Sequence, residues 1–106
     1  QEEALDLAPL DLIDDFIDTA HRLVAEMYDA AEKGDAKALE RAAHSLKGSS
    51  GMMGAHLVQR SCELIEQACA GGDVATARAH LAALQAAHEA TLASFRAARE
   101  APDPRT

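Results

Sequence analysis

The 106-residue chain has no tryptophan, and tyrosine and phenylalanine together make up 3% of it. Sheets draw on aromatic and β-branched residues, so this scarcity points away from strands. Nor does any stretch show sustained period-two alternation or a hairpin turn. Basic residues are also short, with 10 Lys and Arg against 18 Asp and Glu and a formal net charge of −8. That balance excludes a nucleic-acid binder, which meets phosphates with a basic patch, and a domain that docks on anionic membrane. No apolar run approaches the roughly 20 residues of a membrane span, so a soluble domain without direct membrane contact is expected. The opening residues QEEALDL carry neither an initiator methionine nor a basic and apolar signal pattern, and they read as the start of a fragment cut from a longer protein.

Cysteine is confined to Cys62 and Cys69, on one predicted helix. Two helical turns hold such residues ~10 Å apart along the axis, beyond the ~7 Å that a disulfide allows between Cα atoms. Reduced, partly buried thiols are therefore expected, in keeping with a cytoplasmic setting.

What the chain does have is apolar content of 48%, carried mostly by alanine and leucine, which favours packed helices. Its length suits one domain, residues 1–106, with a bundle core over about 9–101 and a flexible tail at 102–106. Pro9 fits the first turn of a helix that runs from Leu10 to Lys33. Along it Leu10, Ile13, Ile17, Ala20, Val24, Met27 and Ala31 step by three or four and form one stripe. Gly34 and Asp35 stop this helix and cap the next, and Gly71, Gly72 and Asp73 repeat the device. A second helix is expected from Ala36 to about Gly51. A third covers Ala55 to Ala70, with Leu57 or Val58, Ser61, Cys62, Ile65 and Ala68 inward. The fourth runs from Val74 to Ala101, where Pro102 ends it. Glu2 to Ala8 suggest a short extra helical turn. Four helices with short joints predict an all-α, antiparallel up-down-up-down four-helix bundle.

One stretch departs from this helical economy. Residues 44–54 read HSLKGSSGMMG, with three glycines in a run that otherwise favours helix. Each interior glycine costs roughly 1 kcal/mol relative to alanine. On a helical wheel Leu39, Ala42, Ala43 and Leu46 face the core, which turns His44 to solvent. Gly48 and Gly51 then lie on the His44 stripe and clear the surface beside the ring, while Lys47 stands one turn on. An exposed neutral imidazole is a good nucleophile near neutral pH. Bare helix surface admits a bulky reactant to its ring nitrogen, and a lysine offers positive charge to phosphate oxygens. These features together point to phosphoryl chemistry on His44 performed against another protein.

The run from His44 to Gly51, followed by Gly54 and Ala55, resembles the signature of histidine-containing phosphotransfer (HPt) domains. Val58, Cys62, Ile65 and Glu66 stand where that family usually has Leu, Cys, Leu and Glu. The resemblance implies a phosphorelay intermediate: His44 accepts a phosphoryl group through Nε2 from a receiver-domain aspartyl phosphate and passes it to another receiver aspartate. It implies that Lys47 contacts the phosphoryl group, that Gly48 and Gly51 give access, and that Ser49 contributes a hydroxyl or merely fills a small-residue position. Some members carry a Gln facing the phosphohistidine, where this chain has Glu66 beside Gln67. A carboxylate sits poorly against a phosphoryl group, so orientation of the imidazole is the role expected here. For receiver docking the candidates are Leu12, Phe16 and Ser45, with ordinary core packing the rival reading of Leu12 and Phe16. The resemblance further implies a monomer, partners among response-regulator receivers, and fusion to a bacterial hybrid sensor histidine kinase.

No phosphate-cradling glycine loop for ATP is present, so the chain is expected to have no kinase activity of its own. It needs no cofactor, with Mg²⁺ expected in the partner receiver. Zinc ligation by Cys62, Cys69 and a histidine has no supporting spacing, and no metal site is expected. His21, His56, His80 and His88 lack a cleared surface like that of His44 and read as solvated or capping residues. The acidic group Asp11, Asp14, Asp15 and Asp18 reads as a solvated face near a helix start. The alternative function is a non-catalytic helical adaptor that binds a signalling partner through its bundle surface.

Overall fold

The computed structural model describes residues 10–100. The leader, Pro9 and the tail, on which several sequence expectations fall, lie outside that range. Four helices follow one another: α1 (Leu10–Glu32), α2 (Ala36–Met52), α3 (His56–Ala70) and α4 (Val74–Glu100). Each packs against its neighbours in the chain, and α4 returns to α1, which closes the antiparallel bundle. No strand occurs among the described residues, and no helix there is long and apolar enough to cross a membrane.

The three joints are built alike. Gly34, Gly54 and Gly72 all take positive φ, at 70°, 74° and 74°, a conformation that glycine reaches without a Cβ clash. At each, two backbone N–H groups fold back onto the preceding helix: Asp35 to Ala30 and Gly34 to Ala31, Ala55 to Ser50 and Gly54 to Gly51, Asp73 to Ala68 and Gly72 to Cys69. These are Schellman closures, which satisfy carbonyls that a helix end leaves open. The next helix then starts at once. Asp35 accepts a bond from the Ala38 N–H, and Asp73 accepts from both the N–H and hydroxyl of Thr76. Ala55 offers no such side chain, so α3 begins without a side-chain cap.

The core is aliphatic and shallow. Met27, Leu39, Leu46, Val58, Ile65, Leu81 and Leu84 are all almost fully buried. Burial of each such side chain favours folding by roughly 1.5–3 kcal/mol. Ala20, Ala31, Ala43 and Ala77 are equally buried and let the helix axes approach closely. Val58 points inward and Leu57 is 69% exposed, which decides between the two on α3. Both cysteines are reduced and buried, and burial pushes the Cys62 thiol up to about 12, so it stays protonated.

Two sequence expectations fail on α1 and α4. Phe16, a docking candidate, is 5% exposed and meets Phe95 edge-on with ring centroids 6.0 Å apart. It serves the core and is not available to a partner, whereas Leu12 stands 48% exposed. His88, expected in solvent, is 2% exposed because it falls on the inward stripe of α4 with Leu81, Leu84 and Leu92. Its Nε2 lies 3.3 Å from Nδ1 of His21 on α1.

Candidate functional site

The inward stripe of α2 is Leu39, Ala42, Ala43, Leu46 and Ser50. Anchoring that stripe turns the opposite edge of α2 outward, and His44 emerges with 71% of its side chain in solvent. From α3, packed alongside, Glu66 reaches across between the two helices and is only 17% exposed. Its neighbours Cys62, Ile65 and Cys69 are buried, so the helix that carries it is held firmly against the core.

Glu66 joins two of the candidates, His44 and Lys47. One carboxylate oxygen lies 2.8 Å from His44 Nδ1, and the other lies 2.7 Å from Lys47 Nζ. Partial burial pushes the Glu66 carboxyl up, but bonds from Lys47 and His44 outweigh this and hold it below the usual carboxylate range. The same bond raises Lys47 above its ordinary value. A carboxylate can only accept, so the short contact requires that Nδ1 carry the ring proton. Nε2 is then the unprotonated nitrogen, with its lone pair available to an incoming electrophile. The bridging carboxylate therefore fixes the tautomer and the ring plane of the imidazole together.

The two glycines of the stripe differ. A Cβ on Gly48 would meet nothing within 4 Å, so the surface one turn from His44 is open. A Cβ on Gly51 would come within 2.8 Å of the Gln59 side-chain nitrogen. Gly51 makes room for a side chain of α3 and does not clear ground for the ring, contrary to expectation. The Ser49 hydroxyl donates to the Ser45 carbonyl one turn back, at 3.3 Å, and is occupied by its own helix. Ser45 itself is exposed and borders a shallow groove with Glu40, Arg41, His44 and Glu66. Gln67 is exposed beside Glu66 and takes no part in the His44 hydrogen bond. Leu12 lies exposed on α1.

The structure thus gathers His44, Lys47, Gly48 and Glu66 at one place and leaves Phe16, Ser49 and Gly51 with structural duties. Simultaneous engagement of His44 and Lys47 by Glu66 is not evident from the sequence alone. Its signal was present as acid and base on adjacent helices, but only the packing of α2 on α3 makes the pair.

A family model described as Hpt domain matches residues 11–94, which takes in all four helices. No curated protein and no solved structure gives a significant match. The chain belongs to the Hpt domain family, whose members take part in phosphotransfer in two-component signalling and interact with response-regulator receiver domains.

Proposed function

From that membership we propose that the chain is a single-domain phosphorelay intermediate, with His44 Nε2 accepting a phosphoryl group from one receiver aspartate and delivering it to another. The observation that carries this reading is the 2.8 Å contact between His44 Nδ1 and Glu66, which leaves the exposed Nε2 as the nucleophilic nitrogen. In the forward step the Nε2 lone pair forms an N–P bond as the P–O bond to the receiver aspartate breaks, and the carboxylate leaves with the electron pair. The Nδ1 proton stays in place, and the positive ring that results lies against the Glu66 carboxylate. In the return step a second aspartate attacks phosphorus and the N–P electrons go back to Nε2. Neither direction needs a proton to enter or leave the ring.

Lys47 is one turn from His44 and reaches the phosphoryl oxygens by exchanging its Glu66 bond for them. Gly48 admits the partner's active-site loops, and Mg²⁺ and most of the charge stabilisation come from the receiver. Leu12 and Ser45 are the residues proposed for receiver docking, on faces of α1 and α2. The module acts as a monomer in the cytoplasm, attached to a hybrid sensor kinase, and has no ATP-dependent activity of its own. Interfaces of this kind are transient, because a shuttle has to release each partner.

The test uses receiver domains labelled on aspartate and mixed with this protein and with its His44→Gln variant. The wild type is expected to take label into an acid-labile, base-stable adduct, and the variant is not. Failure of the wild type across a broad receiver panel favours the adaptor reading.

A further inference from the structure

Away from the His44 site, α1 and α4 meet in antiparallel register. Arg78 donates to the Ala31 carbonyl, the Tyr28 hydroxyl lies 3.5 Å from the Leu81 carbonyl, His21 meets His88, and Phe16 meets Phe95. Among the described residues this seam is the least extensive of the four helix–helix contacts in the ring. Its two polar anchors near Ala31 and Leu81 lie toward one end. Toward the other, the contact rests on the aromatic pair and on the two imidazoles, whose rings stand edge-on at 83° with centroids 4.9 Å apart.

We propose that His21 and His88 form a proton-sensitive latch that holds the N-terminal half of α1 against α4 and lets it go on mild acidification. The chemistry follows from counting protons. His88 Nδ1 is buried with no hydrogen-bond partner, while its Nε2 faces His21 Nδ1 at 3.3 Å. One shared proton satisfies the contact. The less costly arrangement puts it on His88 Nε2, since the reverse would bury an unpaired N–H on Nδ1. His21 then keeps its own proton on Nε2, toward solvent. A further proton on His21 either sets two N–H donors against each other or drives the His88 proton onto its buried, unpaired Nδ1, and one on His88 buries a charge beside an unpaired donor. Either event works against the seam.

The groups around the pair act on that charge in both directions. Burial, and then His21, hold the His88 imidazolium below its ordinary value of 6.5, and Glu89 on α4 opposes them; on α1 the acidic Asp18 and Asp14 stand one and two turns before His21. A depressed histidine favours the folded form fully above the unfolded value, and that advantage is lost as pH falls below it. The α1 face that would loosen includes Thr19, Arg22 and Leu23, which line a groove with Ser45 and Ser49 of α2. Loosening of that face would therefore disturb the surface flanking His44.

Amide hydrogen exchange, corrected for intrinsic chemistry, tests the latch on the whole protein without any phosphoryl donor, so its outcome is independent of the phosphorelay reading. Between pH 7.5 and 5.5 the opening constant of amides in residues 12–24 and 85–98 is expected to rise as pH falls below 6.5, by at most about tenfold per pH unit for uptake of one proton. The rise should vanish in His88→Phe. It should be smaller in His21→Gln, an exposed position where the fold tolerates change and where the amide oxygen still accepts the Nε2 proton. An equal rise in His21→Gln, or a rise spread evenly over all four helices, would overturn the proposal.

Discussion

Two histidine pairs in this bundle place the same imidazole in opposite circumstances. His44 is held at Nδ1 by a carboxylate and presents Nε2 to solvent, whereas His88 is held at Nε2 by a second imidazole and buries Nδ1 without a partner. The first arrangement accepts positive charge on the ring, because Glu66 lies against it. The second resists it, because burial and the facing imidazole outweigh the exposed Glu89. Reactivity in a helical bundle is thus set by what faces the inner nitrogen, and the presence of the histidine alone decides little.

Several substitutions sharpen that contrast. The largest effect is expected at His44 itself: His44→Gln should abolish phosphoryl uptake while thermal stability changes little, since the side chain is mostly in solvent. Removal of the carboxylate comes next. Glu66→Ala frees both the ring and Lys47, and a loss of about 10–100-fold in transfer rate is expected, as where the carboxylate that orients a functional histidine is removed. Glu66→Gln should retain more activity, because its amide oxygen still accepts the Nδ1 proton. Transfer kinetics with a fixed receiver separate the two variants.

Gly48 allows stability and activity to be pulled apart. Gly48→Ala should raise stability by roughly 0.5–1 kcal/mol in denaturant unfolding, because alanine is the better helix former and its Cβ meets nothing there. Transfer should slow, and slow further with Gly48→Leu, as the partner's approach narrows. Gly51→Ala is the smallest change. Its Cβ meets only the end of the flexible Gln59 side chain, so transfer should stay at the wild-type rate.

The two regions also separate by pH. Glu66 is held below the ordinary carboxylate value of 4.5, so its bonds to His44 and Lys47 persist above that value and are lost only as pH falls through the lower folded one. Transfer should therefore show no Glu66-linked step from about pH 5 to 8. Thermal unfolding should nonetheless begin to weaken below 6.5, where His88 responds. Coincident midpoints for the two would erase the distinction.

Much of this was legible in the sequence. Glycine and Asp punctuation marks the joints, and the spacing of Leu39, Ala42, Ala43 and Leu46 by itself turns His44 outward. His88 was legible too, since Leu81, Leu84, His88 and Leu92 keep helical spacing, but a polar residue type outweighed the periodicity. Other features depended on distant partners. Phe16 reads as a docking residue until Phe95 covers it, and Gly51 reads as cleared ground until Gln59 fills the space. Spacing along one helix reports which face a residue takes, and only packing reports what lies opposite.

The most direct test of the central claim is the ring itself. Long-range ¹H–¹⁵N spectra of His44 at neutral pH, before and after phosphorylation, report which nitrogen holds the proton and which bears phosphorus. The account predicts an Nδ1–H ring in the free protein, lost as the major form in Glu66→Ala, and phosphorus on Nε2. A free ring protonated on Nε2, or phosphorus on Nδ1, would contradict it.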